Sequence, residues 1–127
     1  HNRAAKNTLS RENGINAKEI RKIKTNTLNH IIENSKFKNK FIDYISIDVE
    51  GHELEVLKGF DFKNYRPSLV VLELIDLDIN EFFYQKIDNI LQSNIYEYML
   101  IQNYKMINWI HNDLVFVPND LIKENLL

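Results

Sequence analysis

The sequence predicts an α/β fold in which parallel strands alternate with helices and the closing strand runs antiparallel. Three observations carry this expectation. FIDYISIDV (residues 41–49) is dense in β-branched and aromatic residues, and after Gly51 the apolar positions switch to a helical period. SLVVLELI (68–75) is a nearly continuous apolar run, as expected of a strand covered on both faces in a parallel sheet. The last connection, about ten residues without helical period, is too short for a parallel crossover and allows an antiparallel final strand.

Composition narrows the function classes. The chain has 127 residues, 44% hydrophobic and 27% charged, which suits one domain with a real core. A formal net charge of −2 provides no general attraction to phosphate backbones or anionic lipid, so no nucleic-acid partner is expected. With no cysteine there is no disulfide framework, thiolate zinc site or cysteine nucleophile, and a reducing compartment is suited. The longest apolar run, residues 69–72, is far below the roughly 18 residues of a membrane span, and no apolar leader opens the chain. A soluble, cytoplasmic domain is expected. The chain begins with His1 rather than Met, in keeping with a fragment or a trimmed chain.

In order along the chain, residues 1–19 read as irregular, with a turn at Asn13-Gly14, and 20–25 alternate weakly as a short strand. Thr27 is placed to cap a helix reaching Asn34 that buries Leu28, Ile31 and Ile32. Lys36, Lys38 and Lys40 form a solvated basic stretch, for which a soluble linker outweighs an anion patch. Strand 41–49 is expected to set Ile45, Ile47 and Val49 on one face, followed by a helix over 52–59 with the stripe Leu54, Leu57 and Phe60 and with Gly59 at its C-terminal cap. After strand 68–75, Phe82, Phe83, Ile87, Ile90 and Leu91 recur at helical spacing, with Asp78 as cap, predicting a helix to Ser93. Residues 96–102 and 113–117 then read as two strands joined by a loop carrying Trp109.

In open α/β sheets, ligands bind beyond the carboxyl ends of the parallel strands. The titratable residues gathered there are Asp48, Glu50 and His52, with Gly51 among them, and Glu73 at the end of the next strand. Glu50 or His52 suits a general base on a substrate hydroxyl, while Asp48 and Glu73 suit a ligand hydroxyl or a hard cation. Gly51 permits a tight turn or close approach of a ligand. The plainer alternatives are that Glu50 or His52 caps the helix, and for Glu53 and Glu55 capping is the stronger reading, Glu55 facing Lys58. Asp48, read as a carboxylate inside an apolar strand, must find partners or shift its pKa. His30 and His111 read as surface residues, and Trp109, Tyr96, Tyr98 and Tyr104 as packing more than a substrate wall. No spacing has the strong form of a metal site. No Gly-x-Gly-x-x-Gly or Walker-type loop follows a strand; the three glycines are at 14, 51 and 59.

The run IDYISIDVEGHELEVLKGF (42–60), followed by RPSLVVLE (66–73), resembles the signature of the FkbM-like methyltransferase family. IKTNTLNHII (23–32) resembles the segment that precedes this signature, and NWIHNDLVFVP (108–118) the family's closing strand. The resemblance implies the C-terminal half of a class I methyltransferase Rossmann-like sheet, with the four strands as its fourth to seventh. It implies a methyltransferase using S-adenosylmethionine on a hydroxyl of a sugar or polyketide-like acceptor. The signature positions carried over are Asp48, Glu50, Gly51, Glu53 and Glu73. On this reading Glu50 and His52 are the catalytic candidates, Asp48 and Gly51 face the cofactor, and Glu73 faces the substrate. The family's glycine-rich cofactor loop has no counterpart here, which keeps open a non-catalytic module acting through protein contacts. Strand 41–49, without its usual neighbour, is expected to expose an edge for a homodimer or for residues 20–25. A cation-dependent hydrolase or transferase using Asp48, Glu50 and Glu73 is the third reading.

Overall fold

The computed structural model describes residues 24–74 and 86–124. Helix α1 (Leu28–Glu33) precedes β1 (Tyr44–Ile47); α2 (Glu53–Lys58) and α3 (Phe62–Tyr65) lead to β2 (Leu69–Glu73). Then come α4 (Ile87–Leu91), α5 (Asn94–Ile101), β3 (Tyr104–Ile110), β4 (Asp113–Pro118) and α6 (Asn119–Glu124). The strands form one sheet in the order β1-β2-β4-β3. β1 and β2 are parallel, and β4 runs antiparallel to both of its neighbours, as expected of the closing strand. The predicted turn at Asn13-Gly14, most of the strand at 20–25 and the start of the helix from Asp78 lie outside the described residues.

The inward positions of β2 and β4, Val70, Leu72, Leu114 and Phe116, are fully buried. β2 is therefore not covered equally on both faces: Leu69, Val71 and Glu73 on its other side are only half-buried. Leu57 from α2, Ile90 from α4 and Met99 from α5 complete the core, each contributing roughly 1.5–3 kcal/mol by leaving water. An aromatic cluster extends it. Phe62 meets Phe60 edge-on at 4.8 Å and Tyr104 at 5.4 Å, and the buried Tyr104 hydroxyl donates to the Pro67 carbonyl at 2.7 Å. Tyr98 donates to the Leu57 carbonyl and Tyr96 lies against Phe116, so these tyrosines pack rather than line a substrate wall.

Thr27 caps α1 as expected, its Oγ1 accepting from the His30 N–H at 3.2 Å. The helix buries Ile32 but leaves Ile31 54% exposed, contrary to expectation, because the short helix has room for one inward row. Gly59 ends α2, and a Cβ there would stand 3.2 Å from Thr27 Cβ. Its carbonyl accepts from Asn29 N–H, so the glycine allows α1 to dock on the end of α2. Asp61 starts α3, which the sequence reading lacks, by accepting from the Lys63 and Asn64 N–H groups at 3.0 Å each.

Two expectations near the C-terminus are overturned. Residues 94–101 form α5 and not a strand over 96–102. Ser93 Oγ accepts from Tyr96 N–H at 3.1 Å, and Ile95 and Met99, four apart, are buried together; the cap and this inward row outweigh the strand preference of Ile and Tyr. Asn103, at φ 63°, closes the helix in the left-handed region that Asn tolerates. The expected loop around Trp109 is β3, joined to β4 by a two-residue turn at His111-Asn112. Ile107 is an extra residue in the ladder, since Met106 pairs with Phe116 and Asn108 with Val115. This bulge shifts the alternation by one and hides the strand from a period-two reading. His30 and His111 are exposed, as expected.

Ser93→Ala should lower stability by about 1 kcal/mol, read as a drop in the urea midpoint. An unchanged midpoint would mean that the cap does not hold α5.

Candidate functional site

The parallel register sets Tyr44 beside Leu69 and Ile47 beside Leu72. Continued by one residue, it brings Asp48 next to Glu73 at the carboxyl ends of β1 and β2. The chain then turns sharply: Glu50 has φ 57° and Gly51 φ 93°. For glycine this costs little, but a left-handed glutamate costs roughly 1–2 kcal/mol. The turn carries the Glu50 carboxylate back over the strand ends, where one oxygen each from Asp48, Glu50 and Glu73 lies within 4.8 Å of the others.

This cluster is electrostatically loaded. Two full charges no more than 4.8 Å apart repel by about 3.5 kcal/mol or more at an effective dielectric constant of about 20. Burial, a hydrogen bond with Asp48, and the charges of Asp48, Glu50 and Glu53 push the Glu73 carboxyl up to about 7. Oε2 of Glu50 and Oε2 of Glu73 are buried without a hydrogen-bond partner among the described residues. The arrangement accepts hydrogen bonds and, among the described residues, has no cationic side chain in the cluster. It therefore suits hydroxyl or ammonium donors, and its spacing would also admit a cation.

Asp48 does not lie inside an apolar strand, as the sequence suggests. β1 ends at Ile47, and Asp48 is exposed with its carboxyl reaching Glu73. His52 is exposed at the start of α2, makes no side-chain capping bond and is not part of the three-carboxylate cluster. The residue that sequence reasoning undervalued is Glu53. It is 3% exposed, and its Oε1 accepts from Val49 N–H at 3.0 Å and Gly51 N–H at 3.1 Å. It thus binds the turn before α2 and not an N–H within the helix. The available signal was its position two residues after a glycine that itself follows a glutamate.

A family model described as the methyltransferase FkbM domain matches residues 2–105. The chain belongs to the FkbM methyltransferase family. No curated protein and no solved structure matches it. All the FkbM signature positions quoted above, from Asp48 to Glu73, fall within the matched stretch, whereas β4 follows it. Among the described residues of this FkbM-family chain, no helix is long and apolar enough to cross a membrane.

The proton on Glu73 has a thermodynamic signature. Below about pH 4.5 folded and unfolded chains both hold it, and its stabilising contribution is complete; as pH rises from 4.5 towards 7 the unfolded chain has released it while the folded chain has not, so stability falls and levels off above about 7. Glu73→Gln should flatten this part of the profile, its urea midpoint falling less than the parent's between about pH 4.5 and 8. Parallel profiles would contradict the assignment.

Proposed function

We propose that the chain is an S-adenosylmethionine-dependent O-methyltransferase of the cytoplasm, acting on a hydroxyl of a small-molecule acceptor such as a sugar or polyketide-like compound. The observation that carries this reading is the coincidence of FkbM family membership with two buried, unpartnered carboxylate oxygens at the carboxyl ends of parallel strands. S-adenosylmethionine offers hydroxyl and ammonium donors, and the acceptor another hydroxyl, so the donor-poor cluster fits such ligands. When bound, the cofactor supplies an activated methyl group.

What the chain contributes is alignment and proton handling. Glu50, whose free oxygen is buried beside Glu73, is assigned the proton of the acceptor hydroxyl, with His52 as the alternative base at the mouth of the turn. Asp48 and Gly51 are assigned to the cofactor side and Glu73 to the acceptor. A protonated Glu73 can donate to an acceptor oxygen, a role closed to an ionised carboxylate. Isothermal titration of the chain with S-adenosylmethionine and with its demethylated product should give saturable binding. No binding would favour the rival reading, a non-catalytic module acting through protein contacts. In the active enzyme, Glu50→Gln should lower turnover by 10²-fold or more, in the range of general base catalysis, with little loss of stability; unchanged turnover would remove Glu50 from the catalytic assignment.

A homodimer is proposed through β1, which among the described residues pairs only with β2 and leaves Tyr44 53% exposed. Sedimentation should then show a concentration-dependent dimer; a sharp monomer at all concentrations would oppose it.

A further inference from the structure

We propose that Glu53 is the positioning residue of the site: by holding the N–H groups of Val49 and Gly51 on one carboxylate oxygen, it keeps the backbone at Glu50 in the left-handed region and so keeps the Glu50 carboxylate against Glu73. The inference rests on the methyltransferase reading for its catalytic meaning, but its geometry stands apart from that reading.

Four observations support it. Glu50 is the one non-glycine residue of the 49–51 turn at positive φ, and its Oε2 has no hydrogen-bond partner among the described residues. The two N–H groups captured by Glu53 belong to the 48–49 and 50–51 peptides, so the segment that carries the left-handed Glu50 is pinned at both ends to one carboxylate oxygen. Glu53 is the one charged residue buried in the described chain, and it spends its Oε1 on this turn and not on a cation. Finally, Glu53 begins α2, whose Leu57 is fully buried, so the anchoring oxygen is tied to the core and not to a mobile loop. The turn, the strand end and the helix are thereby locked to one another through a single carboxylate.

The test follows Glu73 as a reporter of where Glu50 stands. The groups that bear on its proton are Asp48, Glu50 and Glu53. Glu53→Gln removes one charge but retains an oxygen able to accept both N–H groups, whereas Glu53→Ala removes the acceptor as well. Side-chain carboxyl NMR titration of the whole chain should place the Glu73 midpoint of Glu53→Gln near that of the parent. In Glu53→Ala it should lie lower, by about one pH unit, a tenfold weaker hold on the proton, as Glu50 swings away. Amide exchange at Val49 and Gly51 should remain slow in Glu53→Gln. Equal midpoints in the two variants, with both folded, would overturn the proposal. If Glu53→Ala does not fold, Glu53→Gln decides: freely exchanging Val49 and Gly51 amides with an unmoved Glu73 midpoint would overturn it, and protected amides with a near-parental midpoint would uphold it. Cofactor titration separates this from the wider reading. A parent chain that binds no S-adenosylmethionine but shows the expected order of midpoints would retain Glu53 as the anchor of the turn while removing the methyltransferase role.

Discussion

The parallel pairing of β1 with β2 is the constraint from which the site follows. Parallel neighbours end at the same side of the sheet, so residues one past the last ladder pair are brought together with their side chains on one face. Asp48 and Glu73 occupy those positions, and the apolar pair just before them, Ile47 and Leu72, is buried and holds the register. A slip of one residue would send the carboxylates to the core side and the aliphatic residues to the outer one. The core therefore specifies the geometry of the polar groups without touching a ligand.

Within that frame, the chain spends stability at one place. Like charges are crowded at the strand ends, a glutamate is kept in an uncommon backbone conformation, and two carboxylate oxygens are buried without partners among the described residues. None of these helps folding, and each is affordable only because the sheet, α2 and the aromatic cluster around Phe62 are well packed. Concentrations of strain and perturbed acidity of this kind mark working sites. Here they coincide with the signature of a methyltransferase family.

The parts of this architecture that were legible in the sequence are those written by local pattern. The strand through Ile45 and Ile47, the caps at Thr27 and Gly59, the apolar strand after Pro67 and the convergence of Asp48, Glu50 and Glu73 all follow from periodicity and from the topology of parallel strands. The failures have physical causes. α5 is rich in residues that favour strands, and the Ser93 cap together with the packing of Ile95 and Met99 against the core settles it as a helix. β3 carries the Ile107 bulge, which breaks its alternation. Glu53 looked like a helix-terminal charge because its partners, the Val49 and Gly51 N–H groups, become donors in need only once the turn has formed.

The strand order has a consequence for how the chain assembles. β4 lies between β2 and β3, so among the described strands β3 is joined to the sheet solely through one that is made after it. The β3–β4 hairpin closes locally, across two residues, and must arrive at the edge of β2 as a unit. Until residues 113–118 have been synthesised, β2 has no partner on that side and Tyr104 has no ladder to hold its hydroxyl at Pro67. The stretch beyond the family match is thus a keystone of the sheet, and a chain cut before Asp113 would keep the carboxylates while losing the wall behind them.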